Sequence, residues 1–448
     1  MTPLRSLLRV IRQGDGDLLS LVPEAAYRLP LTHLGYSRRS ILLINDPELA
    51  RDVLTDPTPI FPKNDLMVGA LAPLVGESIF VSSGEPWRRQ REMVDPAFSH
   101  MRINHAFDAM QEGVRAYCNL LDQAAQTETP ISLDFAMSEL TADIICRTIF
   151  STSLEGQTAR DVFEAFAVFE ASVANVNLWQ LIFAKPWSEV RQPKAVLDAC
   201  RVIRERIGEL LAPRLRDPEA GGDDIATAII AARDPATGEG FTEKELIDQI
   251  GVFFLAGHET TASVLTWVFF ILSQQPDLAN TLRDEVNDVT NGGPVTFSSV
   301  KRLTRIRSVF RETLRLYPPI TFIPRVAAEA TTIGGVKVKK GAMLMISPWT
   351  AHRNKALWRD ASQFDPMRFH ADNDHDEDEG IFMSFGLGPR VCVGAAFATI
   401  ESALIIAELV RRYDFSVQNA DAVRPVARLT TKPASEIACV VRLREGAN

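Results

Sequence analysis

Residues 385–394 read Phe385-Gly-Leu-Gly-Pro-Arg-Val-Cys-Val-Gly394 and place a single cysteine, Cys392, among three glycines. Glycine has no Cβ, so this backbone can turn tightly and approach a flat ligand closely. The next segment, Ala395 to Leu409, has a helical pattern, which puts Cys392 near a helix N-terminus. The partial positive charge at that end of a helix favours a thiolate over a thiol. A thiolate on a glycine-rich loop is a ligand that can hold an iron porphyrin from one side.

The chain has 448 residues, of which 46% are hydrophobic, so it can bury a large core. No long run of Gly, Ser or Pro separates two halves, and we predict one large, mainly helical domain over 1–448 with a core of 20–445. The net charge of -9 argues against general binding of nucleic acids. The cysteines are Cys118, Cys146, Cys200, Cys392 and Cys439. They are widely scattered, fit no zinc spacing and indicate a reducing compartment.

The N-terminal segment Met1–Arg9 is amphipathic, with arginines between apolar residues. It lacks both the apolar core of a signal peptide and the length of a membrane span. We therefore expect no transmembrane anchor and a cytoplasmic location. No Cys-x-x-Cys-His pattern occurs, so covalent attachment of a heme is not expected.

Thr242 to Gln275 is predicted to form the longest helix. Thr242 and Glu245 have the spacing of a capping box at its start, and Pro276 ends it. The segment is apolar nearly all round, which is typical of a helix that crosses a protein interior. A transmembrane helix is the alternative, and it is disfavoured because the polar residues 258–261 interrupt the apolar run at its middle.

The middle of this helix reads Ala256-Gly-His-Glu-Thr-Thr261. Buried polar residues are costly unless they have partners or a task. The small residues Ala256 and Gly257 would let a flat ligand lie against the helix backbone. We expect Thr260 to bond a carbonyl one turn back and to open the helix locally, leaving room for O2 and water, and Glu259 to relay protons. On this segment alone, a satisfied buried network at a helix kink is an equally good interpretation.

The remaining chain predicts a short strand at Ile41–Ile44, helices at 141–150, 159–173 and 298–317, a strand–turn–strand run over 331–346, a solvated acidic loop at 372–379 and a final strand at Ile437–Leu443. Pro318 and Pro319 end the helix at 298–317, because the residue before a proline is disfavoured in the helical region.

Two further patterns each place two polar side chains on one face of a predicted helix. In the first, Glu312 and Arg315 lie three residues apart, and Arg368, from a later segment, supplies a second arginine. Alone, such a pair is usually solvated and contributes little. Trp87 and Arg91 lie one helical turn apart, and both can donate hydrogen bonds to a carboxylate.

Five residues of the 385–394 loop resemble, position by position, the heme-ligand loop of the cytochrome P-450 monooxygenases: Phe385, Gly388, Arg390, Cys392 and Gly394. The Trp-x-x-x-Arg pattern at 87–91, the polar cluster at 256–261 and the Glu-x-x-Arg pattern at 312–315 occur in the order found in that family. The resemblance therefore covers almost the whole chain. It implies a mainly α fold with small β-sheets that encloses a heme between the long helix and the helix after Cys392.

The resemblance also implies roles for single residues. The implied cofactor-binding residues are Trp87, Arg91, Ala256, Arg325, Phe385, Gly388, Arg390, Cys392 and Gly394, with Cys392 as the iron ligand. Thr260 and Glu259 form the implied acid–alcohol pair that helps to protonate bound dioxygen. The implied buried network that braces the heme loop consists of Glu312, Arg315 and Arg368. The cofactor would be a non-covalent heme b, and His352 and Arg353 could add donors near its propionates.

A member of this family would insert one oxygen atom from O2 into a C–H bond of a small molecule. The chain has no flavin or iron–sulfur motif, so electrons would come from a separate ferredoxin or flavodoxin-type donor and its NAD(P)H-dependent reductase. We expect a monomer. Basic residues expected to form a docking face for an acidic donor on the Cys392 side are Arg88, Arg89, Lys301, Arg302, Arg305, Arg307, Arg411 and Arg412.

Two alternatives to a monooxygenase stay open. A heme-thiolate peroxygenase would use H2O2, although such relatives typically lack the acid–alcohol pair. A heme sensor or electron carrier would need a second strong axial ligand. His258 is the only candidate for that ligand, and the helix turn should direct it away from the iron.

The predicted substrate pocket is apolar and lacks an obvious charged anchor. Its candidate residues are Ile79, Phe80, Phe253, Ala256, Thr321, Phe322, Ile323, Leu429 and Thr430. This set predicts a hydrophobic substrate such as a terpenoid, a steroid or a fatty acid, and does not choose among them.

Overall fold

The computed structural model describes residues 17–34, 40–56, 60–173, 192–217, 222–370 and 382–444. In this part of the chain α-helices dominate and the sheets are small, which confirms the predicted fold class. The α-helices are α1 Pro47–Thr55, α2 Asp65–Val75, α3 Gly84–Val94, α4 His100–Thr127, α5 Leu133–Phe150, α6 Gln157–Val173, α7 Lys194–Arg216, α8 Ile225–Ala231, α9 Glu243–Gln274, α10 Pro276–Thr290, α11 Phe297–Val300, α12 Thr304–Leu316, α13 Pro348–Ala351 and α14 Ala395–Arg412. Short 3-10 helices lie at Leu18–Leu21, Glu24–Tyr27, Asp95–Phe98, Pro366–Phe369, Gly388–Arg390 and Ala420–Ala422.

The strands are β1 Leu31–Leu34, β2 Ile41–Ile44, β3 Ile131–Ser132, β4 Ile323–Val326, β5 Thr331–Ile333, β6 Val336–Val338, β7 Met343–Ile346, β8 Tyr413–Val417, β9 Pro425–Ala427, β10 Thr431–Pro433 and β11 Ala438–Leu443. The largest described sheet has the order β1-β2-β7-β4, in which only β2 and β7 run parallel. A second sheet has the order β3-β11-β8, and β5–β6 and β9–β10 form two-stranded ribbons. The strands predicted at 41–44, 331–346 and 437–443 are therefore confirmed.

Helix α9 forms as its sequence predicts. The Thr242 hydroxyl accepts a hydrogen bond from the N–H of Glu245, whose carboxylate accepts one from the N–H of Thr242. The helix ends one residue before Gln275, which precedes Pro276. Among the described helices α9 alone is long and apolar enough to cross a membrane, and 78% of its most apolar window is buried inside the protein. Burial of that kind is expected of a core helix.

The main apolar core surrounds α9. Helix α5 packs along it, and α14 and the β8 strand contact it from other sides. Phe254, Leu265, Val268 and Phe269 of α9 are fully buried, which explains why the helix is apolar nearly all round. The strands β1, β2 and β7 cover smaller apolar clusters beside this core.

The helix predicted at 298–317 is instead two helices, α11 and α12. Thr296 and Ser299 form a capping box that starts the one-turn helix α11. The chain then turns, and the carboxylate of Glu285 accepts the N–H groups of Arg305 and Ile306 at the start of α12. A cap supplied from α10 has no signature in the local sequence. The predicted acidic loop at 372–379 and the segment 1–9 lie outside the described residues.

Candidate active site

The loop before α14 holds Cys392 in a defined backbone path. The Cys392 N–H donates to the carbonyl oxygen of Phe385 over 2.9 Å. Gly386 and Gly388 have φ values of 78° and 70°, which residues with a side chain rarely adopt. The loop therefore turns back on itself and presents Cys392 at the wall of a cavity.

Cys392 is the cysteine that reaches this cavity. The buried cysteines are Cys118, Cys146, Cys200 and Cys439, whereas Cys392 is open to the cavity.

The prediction that the helix N-terminus lowers the pKa of the Cys392 thiol is wrong when only protein atoms surround it. Burial among protein atoms raises the pKa of Cys392, and the Gly394 N–H and Arg91 oppose this only in part. A thiol that coordinates a metal ion is deprotonated by the metal itself.

A cavity of about 780 Å³ is lined by both the Cys392 loop and helix α9. Phe385, Cys392 and Gly394 line it from the loop, and Ala256 and Gly257 line it from the helix. Ala256, which lacks a long side chain, leaves room for a flat ligand against the helix. Gly257 is small for a second reason, because a Cβ there would lie 2.5 Å from the Cδ1 atom of Ile145 on α5.

Thr260 faces the cavity from the middle of α9. Its hydroxyl donates to the carbonyl oxygen of Ala256 over 2.5 Å, one turn back as predicted. The predicted local opening of the helix is absent, since α9 runs unbroken from Glu243 to Gln274. The hydroxyl bond is made in addition to the main-chain bonds of the helix. The cavity beside Thr260 therefore does not depend on a broken helix.

Glu259 points away from the cavity into the protein interior, where its side chain is 3% exposed. Its Oε1 atom accepts from the Thr430 hydroxyl over 2.6 Å and lies 2.8 Å from Nζ of Lys432. Its Oε2 atom accepts no hydrogen bond from a donor group of the described residues, and the Glu170 side chain is a hydrogen-bonding neighbour of the Glu259 carboxyl group. Burial and the neighbouring Glu170 carboxylate raise the pKa of Glu259, while Lys432 and His258 oppose the shift. The carboxyl group therefore takes up a proton more readily than an exposed glutamate does.

Three cations line the cavity near its Cys392 end: Lys63, Arg325 and Arg390. Burial lowers the pKa of Lys63 well below its usual value, with a further contribution from the two arginines. Burial also lowers the pKa values of Arg325 and Arg390 to about 10. Among the residues that the structure describes, no carboxylate pairs with any of the three. Enclosed cations without anionic partners indicate a site for an anionic ligand.

Lys63 was not predicted from the sequence, because no motif marks it. It lies before α2, and its backbone pairs with that of Arg325 in an isolated β-bridge. Its ammonium group donates to the carbonyl of Phe80 and lies 4.3 Å from the centroid of the Phe80 ring. Only this long-range pairing brings the lysine to Arg325.

Trp87 and Arg91 of α3 both line the cavity, as predicted. The guanidinium of Arg390 stacks 4.3 Å from the Trp87 ring centroid, and its Nη1 atom has no hydrogen-bond partner in the described structure. Arg91 donates to the carbonyl of Val391 over 2.7 Å and pairs with Asp95 over 2.6 Å. Helix α3 therefore supports the cysteine loop as well as the cavity.

The structure brings most predicted pocket residues to the cavity. Those that line it are Ile79, Phe80, Phe253, Ala256, Thr321, Phe322, Ile323 and Leu429. Thr430 is placed outside the cavity wall, because its hydroxyl donates to Glu259. Lining residues that the sequence did not reveal include Leu18, Met67, Leu71 and Met345. They come from segments far apart in the chain and carry no common pattern.

Comparison with known proteins identifies the architecture. The cytochrome P450 family profile matches residues 22–439. The chain belongs to the cytochrome P450 family.

Relatives and solved structures agree with this assignment. The chain is 30% identical to Protein LUTEIN DEFICIENT 5, chloroplastic, of Arabidopsis thaliana, over 94% of this chain and 74% of the relative. It is 30% identical to cyclooctat-9-en-7-ol 5-monooxygenase of Streptomyces melanosporofaciens, over 92% of this chain and 84% of the relative. The crystal structure of the cytochrome P450DA heme domain matches with a TM-score of 0.81 at 25% identity, over 93% of this chain and 89% of that one. The protein is thus a P450 monooxygenase, an oxidoreductase.

The cavity residues of this P450 fit the heme that the family implies. Cys392 offers a sulfur ligand at the cavity wall. Lys63, Arg325 and Arg390 offer positive charge without carboxylate partners, as two propionates would require. The unpartnered Nη1 atom of Arg390 is a donor that a propionate oxygen would satisfy.

Gly388 and Gly394 of the P450 loop differ in position. Gly394 lines the cavity. Gly388 lies outside the cavity wall, where a Cβ would come within 2.6 Å of the Thr55 Cγ2 atom on α1. Glycine at 388 therefore serves the positive φ and the packing of the loop against α1.

The network of Glu312, Arg315 and Arg368 is buried in this P450, as its sequence resemblance implied. Arg315 makes two hydrogen bonds of 2.7 Å to the Glu312 carboxylate, and Nε of Arg368 lies 3.6 Å from it. Arg315 also donates to the carbonyl of His352 over 2.7 Å. The His352 ring accepts the Met383 N–H over 3.1 Å, two residues before the cysteine loop begins at Phe385. The network therefore connects α12 to that loop.

His352 and Arg353 do not line the cavity, in contrast to their expected place near the propionates. The His352 ring lies between the carbonyl of Arg315 and the N–H of Met383, and it is fully buried. Arg353 donates to the carbonyl of Leu316 and stacks over Trp349. Both residues are held by contacts with α12 and α13.

Proposed function

We propose that this P450 inserts one oxygen atom from O2 into a C–H bond of a hydrophobic small molecule, with a non-covalent heme b held by Cys392. The observation that carries the proposal is that Cys392 lines the same cavity as Ala256 and Thr260 of α9. When bound, the heme supplies the site at which O2 is reduced and split. We further propose that residues 1–448 act as one cytoplasmic, monomeric unit.

Two residues of α9, Thr260 and Glu259, would position water and transfer protons in the cavity. Thr260 already donates its hydroxyl proton to the Ala256 carbonyl, so its oxygen is left to accept a hydrogen bond from a water molecule in the cavity. Glu259 would exchange protons with that water by a change of rotamer that releases its carboxyl group from Thr430 and Lys432 and turns it toward the cavity. Burial raises the pKa of Glu259, so this carboxyl group takes up a proton more readily than an exposed glutamate does.

Replacing Thr260 by alanine should leave heme and substrate binding intact, because its hydroxyl binds only the Ala256 carbonyl. Without a hydroxyl to position water, electrons from NAD(P)H should leave as H2O2, and product formed per NAD(P)H should fall several-fold. The measurement is the ratio of product to NAD(P)H oxidised. Thr266→Ala is the matched control, since its hydroxyl makes the same kind of bond, to Ala262, on the buried part of α9. Equal ratios in Thr260→Ala and the unmodified enzyme would remove Thr260 from the mechanism.

The substrate is proposed to be terpenoid-, steroid- or fatty-acid-like. Phe253, Phe322 and Leu429 give the cavity an apolar surface. Relatives named cyclooctat-9-en-7-ol 5-monooxygenase and pentalenene oxygenase, both from Streptomyces, favour the terpenoid option. A library of such compounds screened by the shift of the heme Soret band would identify ligands. Turnover of a hit under isotopically labelled O2 should place one labelled oxygen atom in the product; unlabelled product formed as fast from H2O2 alone would instead favour a peroxygenase.

A heme sensor or electron carrier is disfavoured by the placement of His258. Its Nε2 atom lies 3.2 Å from Glu170, and its ring packs against Phe166 and Phe254. Among the described residues that line the cavity there is no histidine. His258, the candidate that the sequence offered for a second axial ligand, therefore does not reach the cavity.

Electrons are proposed to arrive from a ferredoxin or flavodoxin-type protein with its own NAD(P)H reductase. Of the basic residues expected on the docking face, Arg89 is already neutralised by Glu245 at 2.7 Å and Asp234 at 3.6 Å. Arg88 pairs with Glu85 at 2.6 Å, but this pair is 60% and 77% exposed, so solvent weakens it, and it lies on α3, the helix that contacts the cysteine loop. Arg302 is exposed beside α11. Arg88 and Arg302 are therefore the more accessible candidates to steer an acidic donor.

Charge reversal at both sites, Arg88→Glu with Arg302→Glu, should slow reduction by the donor several-fold at low ionic strength. The effect should shrink as salt is added, because exposed charges are screened. Stopped-flow reduction by ferredoxin measures the rate. Reduction by dithionite and substrate binding should not change. An unchanged rate at low salt would show that the donor docks elsewhere.

A further inference from the structure

Four ionisable side chains, Glu259 among them, meet in the protein interior on the side of α9 that faces away from the cavity. Glu170 comes from α6, His258 and Glu259 from α9, and Lys432 from β10. Lys432 Nζ lies 2.8 Å from Glu259 and 3.2 Å from Glu170, and His258 Nε2 lies 3.2 Å from Glu170. We call Glu170, His258, Glu259 and Lys432 the Glu259 cluster.

The cluster contains two acids and two bases. With all four ionised it is electrically neutral, and protonation of Glu259 leaves one positive charge in excess. His258 is close to the Phe254 carbonyl through Nδ1 at 2.8 Å and to Glu170 through Nε2, so the imidazolium form can satisfy both contacts at once. The ionic state of Glu259 therefore depends on the charges that surround it.

The remaining surroundings of the cluster add no further charge. Helix α5 contributes the hydroxyl of Thr141, which donates to the carbonyl of His258 over 3.1 Å. The aromatic rings of Phe163, Phe166 and Phe254 pack around His258. The loop before β10 contributes the Thr430 hydroxyl. Apart from these neutral groups, Glu170, His258 and Lys432 are the described charges that act on Glu259.

The cluster is also a three-ligand arrangement of a kind that divalent cations use. One ligand atom each from Glu170, His258 and Glu259 lie within 4.8 Å of one another. The ammonium group of Lys432 already contacts both carboxylates, however. The chain itself thus supplies the positive charge that a metal ion would bring, and we assign no metal to this place.

We propose that Lys432 is a positioning residue for proton transfer, which anchors Glu259 and stabilises its carboxylate form so that it can accept a proton before passing it on. The proposal rests on the proposed function of Glu259. Its geometric basis is that Lys432 lies 2.8 Å from Oε1 of Glu259 and 3.2 Å from Glu170, and that the Thr430 hydroxyl donates to the same Oε1 atom. Lys432 is 38% exposed while Glu259 is 3% exposed, so the pair leads from the protein surface to α9.

The sign of the effect follows from the charges. Glu170 and burial both favour protonated Glu259, and Lys432 favours the carboxylate. An opposite charge within 4–6 Å typically shifts a pKa by about 1–3 units. Removing the ammonium group should therefore raise the pKa of Glu259 and keep it protonated to higher pH, where it no longer accepts protons.

The test measures titration of the Glu259 carboxyl in the holoenzyme by infrared difference spectroscopy. The carbonyl band of the protonated acid is assigned by its loss in Glu259→Gln. In Lys432→Met the midpoint of this band should move to higher pH by about one unit or more, and product formed per NAD(P)H should fall at neutral pH. Lys432→Arg, which keeps the charge, should have a midpoint near that of the unmodified enzyme. Lys337→Met, on the exposed β5–β6 ribbon, is the matched control for loss of a lysine.

The outcomes separate the two proposals. If Lys432→Met keeps the original midpoint while Glu259→Gln lowers product per NAD(P)H, the role of Lys432 is refuted and that of Glu259 stands. If Glu259→Gln leaves that ratio unchanged, the proposed function of Glu259 fails first. Lys432→Gln, which removes the charge but keeps a polar side chain, should give an upward shift of similar size and serves in place of Lys432→Met if that variant does not fold. A midpoint that is unchanged in this variant as well refutes the proposal.

Discussion

Replacing Cys392 by serine should abolish the strongly red-shifted Soret band that a thiolate-ligated heme gives when the reduced protein binds CO. Cys392 is the cysteine at the cavity wall, and the other four are buried in the protein. A serine hydroxyl is far less acidic than a thiol and stays neutral, so it cannot supply the electron-rich sulfur ligand. The expected effect is complete loss of the band, with any heme that still binds absorbing at shorter wavelength.

The controls replace each buried cysteine by alanine: Cys118, Cys146, Cys200 and Cys439. These four thiols are buried and do not line the cavity, so they are poor candidates to reach a heme that binds there. Each variant should keep the red-shifted band, although removal of a buried sulfur will lower stability somewhat. A red-shifted band that persists in Cys392→Ser would overturn the assignment of Cys392 and with it the proposed function.

Local features of the sequence predicted what depends on local structure. The capping box of Thr242 and Glu245 and the glycine turns before Cys392 each lie within a few residues. The bond from Thr260 to Ala256 follows from helical spacing alone. Such features were predictable because their partners are fixed by the chain path itself.

Contacts between distant segments were not predictable from the sequence. Lys63 reaches the cavity because its backbone forms a β-bridge with that of Arg325. Lys432 contacts Glu259 from strand β10. Thr430 was expected in the substrate pocket, but a hydrogen bond to Glu259 turns it away. In each case the partner is more than 150 residues distant, and one sequence carries no pattern that reports such a pair.

The burial of Glu312 and Arg315 shows where the resemblance added most. Their spacing alone indicated an ordinary surface pair, whereas both side chains have 0% exposure. The difference matters because exposed pairs contribute about 0–1 kcal/mol. In a buried pair, removal of one partner leaves an uncompensated charge in the interior.

Replacing Arg315 by methionine should therefore destabilise the protein by about 3–5 kcal/mol, a large share of the about 5–15 kcal/mol that typical proteins have. The Glu312 carboxylate would lose two hydrogen bonds of 2.7 Å and would keep the N–H of Asp365 and the distant Arg368 as partners. Burial already raises the pKa of Glu312 while Arg315 opposes the shift, so the variant should hold this acid in its neutral form more readily. Urea unfolding followed by helical circular dichroism and by the heme absorbance measures the loss.

Two comparison variants separate charge pairing from general disturbance. Arg201→Met removes the partner of Glu205 on α7, where both side chains are more than half exposed, and should change stability by less than about 1 kcal/mol. The double variant Glu312→Leu with Arg315→Met removes both charges and should be more stable than Arg315→Met alone, because no unpaired carboxylate remains. The carbonyls of His352, Ala361 and Gln363 still lose their donor, so the double variant should not regain full stability. If Arg315→Met unfolds at the same urea concentration as the unmodified protein, the network does not stabilise the fold, and its link to the cysteine loop through His352 would have to serve heme retention alone.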